Sequence, residues 1–387
     1  MTELDDLTRA YVDNCTVAGV VTLVARGDDV EVGVVGSHDV EGHTPMARDS
    51  IFRIASTTKP IMAAAVLLLV DDGRIALDDP IAKWLPELAT PSVVRTPTGP
   101  LDDVVPAARP ITVFDVLTSR AGWGFPATDM TEPAIQALFE EGQQKHGRDP
   151  QFVSPPDEWL AALAGVPMLC QPGEAYLYNT CSNIQGVLVA RVSGQSLPDF
   201  MAERLFEPLG MVDTGFVVPP GKLDRFTSYY QAGPDGLELV DAPDGQWSTL
   251  PAFPSGAGGL ASTADDWLAF ARLLLVGGSV GSTAGSRQLL SPESVRLMTT
   301  DHLTGAQRDT SLLFLEGQGW GFGGSVDVAR IDPWNVPGRY GWVGGTGTAA
   351  HLTPSTGTVT ILLSQLAATT PAQPPLITDF WTYAARV

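Results

Sequence analysis

Residues 52–88, FRIASTTKPIMAAAVLLLVDDGRIALDDPIAKWLPEL, decide how the rest of this 387-residue chain is interpreted. The run Ile61–Val70 within this stretch is apolar on every side of a helical projection, which predicts a buried helix. With the residues before the run, that helix covers about 17 residues, and Pro60 falls in its first turn, where a missing N–H costs little. The start of this helix therefore carries polar side chains into a buried environment.

Ser56 and Lys59 stand three residues apart at the start of this helix. Side chains at i and i+3 share a helix face, so the lysine amine can reach the serine hydroxyl. A serine hydroxyl becomes a good nucleophile when a nearby base takes its proton, and burial makes a lysine such a base by lowering its pKa from about 10.4. The helix N-terminus also favours negative charge that develops on a substrate. The pattern predicts Ser56 as the nucleophile and Lys59 as its activator.

Strand-like segments lie at both ends of the chain, around a mainly helical middle. Valine-rich residues 18–26 and 30–37 predict a hairpin, and further strands are expected at 51–54, 326–331, 339–343, 348–352 and 359–364. Helices are expected at 111–119, 157–164, 181–192, 197–209, 264–276 and 376–387. This order predicts an α/β + α fold, with a discontinuous α/β domain of residues 1–75 and 255–387 and an inserted, mainly helical domain of residues 76–254. The cleft between two such domains is the expected place of a site.

The composition argues against several classes of function. The net charge is −21 and no basic run is present, which disfavours nucleic acid and anionic membranes as partners. The longest apolar run is too short to span a bilayer. Three cysteines and five histidines, all scattered, predict no disulfide framework and no metal site, and no cofactor is expected. The polar, acidic start of the chain predicts a cytoplasmic protein.

Further segments follow the opening stretch in a fixed order: ITVFDVLTSRAGWG at 111–124, PGEAYLYNTCSNIQGVLVARVSGQSLPDFMAERLFEPLGM at 172–211, GGLASTADDWLAFARLLLVGG at 258–278 and GRYGWVGGTGTAAHLTP at 338–354. Together they resemble the ordered motifs of the β-lactamase-related serine hydrolases, which include class C β-lactamases, DD-peptidases and family VIII carboxylesterases. The resemblance implies a β-lactamase/transpeptidase-like fold, in which an antiparallel sheet is flanked by helices and a mostly helical lobe is inserted.

The second motif of that superfamily, Tyr-x-Asn, corresponds to Tyr178-Asn179-Thr180. The resemblance implies that Tyr178 is a general base or proton shuttle beside Ser56. A tyrosinate needs a nearby cation near neutral pH, and Lys59 would supply one. Thr180 stands where penicillin-recognising members have an asparagine, and it is predicted to contact substrate. Asn183 lies further along the chain, in a different register.

The third motif differs from that of the lactamases, because Trp342-Val343-Gly344 stands in place of Lys-Thr-Gly. The tryptophan removes a cation that would pair with a substrate carboxylate, which favours simple esters over β-lactams and DD-peptides. Family VIII esterases are similar in having tryptophan here. The resemblance implies that Trp342 and Gly344 contact substrate, and that the N–H groups of Ser56 and Gly345 form an oxyanion hole.

Three other residues are weaker candidates for a site. Trp123 lies in a loop that borders the cleft in this superfamily, so it either lines a substrate pocket or packs in the core. Ser279 is the centre of a Gly-x-Ser-x-Gly sequence, but that motif needs a strand before the serine and a helix after it, whereas a helix is predicted before Ser279. His351 is the histidine of the C-terminal strand region and the candidate for a Ser-His-Asp triad, which is the less favoured mechanism.

The sequence thus predicts a serine hydrolase that cleaves small-molecule carboxylic esters through an acyl-enzyme on Ser56. Alternatives within the enzyme class are a β-lactamase, a D-amino-acid peptidase or amidase, and an acyltransferase of the same fold. The alternative outside that class is a binding protein that has kept the fold without catalysis. Whether Lys59 or Tyr178 is the general base is left open by the sequence.

Overall fold

The computed structural model describes residues 3–126, 130–142, 149–281 and 287–387. Within these ranges, the main sheet consists of seven strands: β1 (Gly19–Arg26), β2 (Asp29–Gly36), β11 (Gly319–Trp320), β12 (Ser325–Val326), β13 (Tyr340–Gly344), β14 (Thr348–Thr353) and β15 (Thr358–Ser364). These strands are antiparallel, in the order β11-β12-β13-β14-β15-β1-β2.

The two ends of the chain meet in the middle of this sheet. Strand β1 pairs with β15, with Val20 opposite Ser364, and on its other edge β1 pairs with β2. The predicted hairpin near the N-terminus and the predicted C-terminal strands therefore belong to one sheet. The boundaries of the proposed domains, 1–75 with 255–387 and 76–254, stay a prediction.

The helices occupy both faces of the sheet and most of the middle of the chain. Ala202–Phe206 forms a π-helical turn that continues the helix after Met201. The helices are α1 (Glu3–Asp13), α2 (Thr58–Asp71), α3 (Val113–Leu117), α4 (Pro133–Glu140), α5 (Pro156–Gly165), α6 (Thr180–Ser193), α7 (Leu197–Met201), α8 (Glu207–Leu209), α9 (Ala264–Leu275), α10 (Pro292–Met298), α11 (Gly305–Asp309), α12 (Leu312–Leu315) and α13 (Pro375–Ala384).

Short strand pairs lie outside the main sheet, and the sequence analysis missed most of them. Strands β6 and β7 form a hairpin within the predicted helical middle. The paired strands are β3 (Phe52–Arg53) with β8 (Ala261–Ser262), β4 (Ser92–Val94) with β5 (Val104–Pro106), β6 (Tyr229–Gly233) with β7 (Gly236–Asp241), and β9 (Ser279–Val280) with β10 (Arg287–Gln288).

Helix α2 confirms the buried helix predicted from the opening stretch, although it begins two residues after Ser56. Its residues from Thr58 to Leu69 are all buried. A 3-10 turn, Ala55–Thr57, precedes it. Gly323 packs on the first turn of the helix, and a Cβ there would lie 2.4 Å from the Lys59 carbonyl oxygen. Only glycine tolerates that approach, and its φ of +75° also favours glycine.

The two faces of the sheet bury different sets of helices. On one face, α2 and α9 pack in the main hydrophobic core, which includes Leu23 and Ile361. On the other face, α1 and α13 cover a smaller core around Val20 and Leu362. Because successive strand residues point to opposite faces, each strand contributes to both cores.

The strand predicted at 326–331 is wrong beyond Val326. The side chain of Gln318 bonds the next part of the chain instead: its Oε1 accepts from the N–H groups of Val328 and Ala329, and its Nε2 donates to the Ala329 carbonyl oxygen. These bonds turn the chain out of the sheet. The Gln318 side chain, ten residues earlier in the chain, thus overrides the local β propensity of Val328.

Helix α1 was not predicted, because its sequence carries three acidic residues in the first turn and little apolar surface. Leu4 is nevertheless fully buried and packs against the core beneath α13. Within the described ranges, no helix combines the length and apolarity that crossing a bilayer requires.

Candidate active site

Ser56 lies at the centre of the 3-10 turn that joins β3 to α2. Its predecessor, Ala55, has a φ of +42°, a conformation that costs about 1–3 kcal/mol for a residue with a side chain. Two hydroxyls from the sheet hold the turn in place. Thr346 Oγ1 donates to the Arg53 carbonyl oxygen at 2.6 Å, and Thr348 Oγ1 donates to the Ile54 carbonyl oxygen at 3.1 Å.

The end of β13 lies directly against this turn. A Cβ on Gly344 would stand 2.6 Å from the Ile54 carbonyl oxygen, so the two backbones can approach only because residue 344 is glycine. The Gly344 carbonyl oxygen accepts from the Gly347 N–H at 3.0 Å, within the turn to β14. Since a trans peptide places N–H opposite C=O, the Gly345 N–H points away from β14. The role of Gly345 in an oxyanion hole stays a prediction.

Lys59 is buried, and its amine lies among three oxygens. Lys59 Nζ is 2.9 Å from Ser56 Oγ, 3.0 Å from Asn179 Oδ1 and 2.7 Å from the Ala257 carbonyl oxygen. The predicted i, i+3 contact between serine and lysine is therefore present. Among the described residues, no carboxylate forms an ion pair with this lysine.

Burial without a counter-ion lowers the pKa of Lys59 well below its usual value of 10.5. A neutral amine has two N–H donors and one lone pair. The amide oxygen of Asn179 and the carbonyl oxygen of Ala257 can only accept, so they take both N–H groups. In the neutral form of the amine the lone pair is left for Ser56 and can accept from its hydroxyl, whereas the protonated amine donates to Ser56 Oγ. This arrangement is what a general base for Ser56 requires.

Asn179 reaches Lys59 from a strained backbone. Its φ is +83° and its ψ is −63°, and the Thr180 N–H bonds the Tyr178 carbonyl oxygen at 3.2 Å across it. These values define the rare, strained form of the γ-turn. The turn lies immediately before α6 and presents residues 178 and 179 to the same amine.

Tyr178 completes the cluster as a neutral phenol. Burial raises the pKa of Tyr178 to about 12, although hydrogen bonds with Ser56 and Trp342 act in the opposite direction. Trp342 Nε1 donates to the Tyr178 hydroxyl oxygen at 2.8 Å. Lys59 Nζ lies 4.6 Å from the centroid of the Tyr178 ring. The structure thus brings together the predicted residues Ser56, Lys59, Tyr178 and Trp342.

Aromatic rings form one wall of this cluster. The Tyr178 ring stacks on Phe314 with centroids 4.8 Å apart, and Trp342 packs edge-on against Trp320 at 4.8 Å. Trp342 is buried, with 6% of its surface exposed. The indole in place of a cation therefore positions the tyrosine hydroxyl and adds apolar surface beside it.

A model of the family described as Beta-lactamase matches residues 4–378. The chain belongs to the Beta-lactamase family. It is 38% identical to Protein Rv1367c of Mycobacterium tuberculosis over 369 residues, which cover 92% of this chain and 88% of that protein. It is 33% identical to esterase EstB of Burkholderia gladioli over 271 residues, which cover 65% of this chain and 64% of that protein.

Solved structures confirm the fold. The chain superposes on EstCE1, described as a hydrolase with promiscuous acyltransferase activity, with a TM-score of 0.79 and 23% identity. The match covers 98% of this chain and 97% of the other. The β-lactamase/transpeptidase-like fold is therefore established, with its antiparallel sheet and flanking helices, and the family and its relatives indicate an enzyme of the serine hydrolase kind.

Two residues predicted to contact substrate are placed in the interior of this Beta-lactamase family fold. Trp123 is 2% exposed, lies in the main core and donates from Nε1 to the Val166 carbonyl oxygen at 2.8 Å. Core packing, the second of its two interpretations, accounts for it. Thr180 is 0% exposed in the first turn of α6. Both side chains are buried in this structure, and their contact with substrate stays a prediction.

The rival nucleophile and base lie apart from Ser56. Ser279 begins β9, and its hydroxyl donates to Gln288 Oε1 at 3.0 Å. No helix follows it directly, as a nucleophile elbow would require. His351 lies in β14 opposite Gly341, with its ring edge-on to Trp381 on the α13 face of the sheet. These placements do not support a histidine-dependent triad with either serine.

The sequence analysis missed three parts of the site in this family member. Asn179 was treated as the variable position of its motif, and Ala257 contributes only a backbone oxygen, which no side-chain pattern reveals. Asn183 supports Ala257, because its Oδ1 accepts from the Ala257 N–H at 3.2 Å and from Ser255 Oγ at 2.8 Å. The one usable signal was the position of Asn179 between Tyr178 and the start of α6.

Proposed function

We propose that this protein hydrolyses carboxylic esters of small molecules through an acyl-enzyme on Ser56. One observation carries the proposal: Lys59, buried and without a carboxylate partner in the described part of the chain, places its amine 2.9 Å from Ser56 Oγ. A neutral amine in this position removes the serine proton as the hydroxyl oxygen attacks. No histidine is needed for this step.

In the first half-reaction, Ser56 Oγ bonds to the ester carbonyl carbon while its proton moves to Lys59 Nζ. The carbonyl oxygen becomes an oxyanion, which the N–H groups of Ser56 and Gly345 are proposed to bind. The intermediate collapses when the bond to the alcohol oxygen breaks, and that oxygen needs a proton. The products of this half-reaction are the free alcohol and an acyl ester on Ser56.

Tyr178 is proposed to supply the proton to the leaving alcohol. As a neutral phenol whose oxygen accepts from Trp342 Nε1, it keeps its own proton to donate. The proton that Lys59 took from Ser56 then restores the phenol. In the second half-reaction water attacks the acyl-enzyme, and the proton transfers run in the opposite direction. The water proton passes to Tyr178, the phenol proton passes to Lys59, and Lys59 returns a proton to Ser56 Oγ. The acid is released and Ser56 is regenerated. The general base is thus Lys59 and the general acid is Tyr178.

Trp342 favours simple esters as substrates over compounds whose carboxylate the enzyme would have to bind. A β-lactam or a peptide C-terminus brings a carboxylate whose burial needs a cationic or hydrogen-bonding partner. Trp342 offers an apolar ring, and its single N–H donor is already bonded to Tyr178. The similarity to an esterase, EstB, points in the same direction. Acyl transfer to an alcohol in place of water uses the same acyl-enzyme.

The first test compares hydrolysis of p-nitrophenyl butyrate and of a chromogenic cephalosporin by the wild type, by Ser56→Ala and by Ser279→Ala as the matched control. We expect ester turnover in the wild type and in Ser279→Ala, its loss in Ser56→Ala, and little cephalosporin turnover in any of them. Dominant cephalosporin turnover would replace the proposal with a β-lactamase. Ester turnover that persists in Ser56→Ala would refute Ser56 as the nucleophile.

The remaining properties follow from this proposal as predictions. The partner is a small-molecule ester, and neither nucleic acid nor a membrane is expected to bind. Cytoplasmic location stays a prediction. A non-catalytic binding protein would be indicated if a phosphonate probe failed to label Ser56.

A further inference from the structure

A polar patch interrupts the apolar face of the sheet beneath α13. Directly opposite residues of neighbouring strands share a face, and here Arg26 lies opposite Thr358, which lies opposite Thr353. In the next row, Thr360 lies opposite His351. The same face further along the strands is apolar, with Val20 and Leu362 in the core under α13.

A cavity of about 660 Å³ opens over this patch. None of the residues that line it belongs to the Ser56 site, which lies at the other end of β13. The lining includes three arginines, Arg26, Arg330 and Arg339, and one carboxylate, Asp332. An excess of positive side chains is unusual for a chain with a net charge of −21. Asp327, which does not line the cavity, lies 3.8 Å from Arg339, and Arg26 donates to the Ala384 carbonyl oxygen at 3.0 Å, so Arg330 and Arg339 are the cations available to an anion in the cavity.

Arg339 is the buried cation of this cavity, with 6% of its surface exposed. Its nearest carboxylate, Asp327 Oδ2, is 3.8 Å from Nη1, which is too long for a hydrogen bond. That oxygen already accepts from Asn335 Nδ2 and from the Val336 N–H, each at 3.0 Å. Arg339 Nη2 has no hydrogen-bond partner among the residues that the structure describes. A buried guanidinium left in this state is costly unless an acceptor is supplied.

Two further buried nitrogen atoms lie beside Arg339 without partners in the described part of the chain, Trp381 Nε1 and His351 Nδ1. The Arg339 guanidinium lies 4.8 Å from the Trp381 ring centroid, and the His351 and Trp381 rings are 5.2 Å apart. Native proteins rarely leave neighbouring buried polar groups unsatisfied, so each calls for an explanation. Arg339 and Trp381 both line the cavity, so an acceptor group bound in it would lie beside the two side chains.

We propose that this cavity binds a small organic anion, whose carboxylate or phosphate group is held by Arg339 and the Trp381 indole N–H and whose carbon skeleton lies against the Trp334 and Trp381 rings. An oxyanion accepts from the planar guanidinium fork with good geometry. Arg330, exposed at the rim, adds charge attraction, and the threonine hydroxyls of β14 and β15 supply further donors. The site is separate from the ester-cleaving site and does not depend on the proposed function.

The test is isothermal titration calorimetry with sodium benzoate, sodium phosphate and benzyl alcohol, on the wild type and on Ser56→Ala. We expect one saturable site for benzoate or phosphate in both proteins and none for benzyl alcohol, which lacks the charge. Benzoate binding alone would identify the ligand as a carboxylate, and phosphate binding alone as a phosphate ester. No saturable binding of either anion would overturn the proposal.

Two variants locate the binding. Arg330→Gln is an exposed change and is expected to weaken the affinity about threefold, whereas Arg339→Met removes the buried donor and should weaken it about tenfold or more. Far-ultraviolet circular dichroism spectra and Tm values of both variants should match those of the wild type, which shows that they fold whether or not the protein hydrolyses esters. Should Arg339→Met fold poorly, Arg330→Gln and Thr360→Val carry the test. Unchanged affinity in all folded variants would place the anion elsewhere and refute the site.

Discussion

Lys59 is the residue on which the chemistry depends, and its burial has a measurable cost. The pKa of Lys59 in the folded protein is well below 10.5, whereas the unfolded chain restores a value near 10.5. Between these two values the unfolded state binds more protons, so the free energy of unfolding rises with pH toward 10.5. At lower pH, folding must either remove the proton from this lysine or bury its positive charge, and both lower the free energy of unfolding.

Lys59→Met is therefore expected to abolish ester hydrolysis and, relative to the wild type, to gain stability as the pH falls. The Tm of the variant minus that of the wild type should be more positive at pH 6 than at pH 9, because only the wild type must deprotonate a lysine at this position on folding. Scanning calorimetry at both pH values measures it. A difference in Tm that does not change with pH would mean that Lys59 keeps its charge in the folded protein.

The Trp342–Tyr178 hydrogen bond predicts a graded loss of activity. Tyr178→Phe removes the general acid and should lower kcat about 10²–10⁴-fold. Trp342→Phe keeps an aromatic ring but removes the N–H that donates to the hydroxyl oxygen, and since this bond lowers the pKa of Tyr178, its loss should lower kcat by about tenfold.

The pH profile checks the same assignment. Activity should rise with pH through the pKa of Lys59, well below 10.5, and fall only as Tyr178 ionises near pH 12. Stopped-flow assays with p-nitrophenyl butyrate measure both limbs.

Equal kcat values for Trp342→Phe and the wild type would show that the indole N–H has no part in catalysis.

At the residue scale, local sequence was enough to predict the pair Ser56 and Lys59, because their contact spans one helical turn. It could not predict Asn179 and Ala257 as partners of the amine, since these lie 120 and 198 positions from Lys59. It also left the two interpretations of Trp123 open. A large aromatic residue in a cleft-border loop has the same sequence signature whether it faces the cleft or the core.

At the scale of elements, the contact between β13 and the Ser56 turn sets the geometry of the nucleophile. A Cβ at Gly344 would meet Thr348 Oγ1 and lie 2.6 Å from the Ile54 carbonyl oxygen. Both neighbours help to hold the turn, so neither moves without displacing Ser56.

Gly344→Ala is accordingly expected to lower the free energy of unfolding by about 2 kcal/mol and to lower kcat more than it raises KM. Gly165→Ala is the matched control, because a Cβ at this helical glycine meets nothing within 4 Å and should leave both activity and stability near wild type. Urea denaturation and steady-state kinetics measure the two quantities. Equal behaviour of the two variants would contradict the role given to this contact.

Some strands and helices could be predicted from the sequence pattern alone, and others could not. Strands β1, β2, β14 and β15 were predicted within two residues at each end, because each is bounded by turn residues and β1 and β2 are also valine-rich. The strand at 326–331 was wrong because Gln318 bonds that segment, and short pairs such as β4 with β5 lack a run long enough to be recognised. Helix α2 begins at Thr58 because Ala55–Thr57 form a 3-10 turn, and the hydroxyls of Thr346 and Thr348 bond the two carbonyl groups that precede this turn.

At the scale of the whole molecule, the net charge of −21 should govern which esters approach the site. A negative field repels anionic substrates over distances comparable to the Debye length, about 10 Å at 0.1 M salt. Raising the salt concentration screens this repulsion.

KM for an ester with a carboxylate in its acyl chain should therefore fall as sodium chloride is raised, whereas KM for p-nitrophenyl butyrate stays constant. Steady-state assays at several salt concentrations, at fixed pH, provide the comparison. A KM for the anionic ester that does not respond to salt would mean that the acidic residues are too far from the cleft to act on substrate.

Acylation of Ser56 with Lys59 as its base can be observed directly. The measurement is mass spectrometry of the protein quenched during turnover of p-nitrophenyl butyrate, followed by peptide mapping, for the wild type and for Lys59→Met. We expect one butyryl group on the wild-type peptide that contains Ser56, and none on Lys59→Met quenched at the same time. A butyryl group on another residue, or equally fast acylation of Lys59→Met, would contradict it.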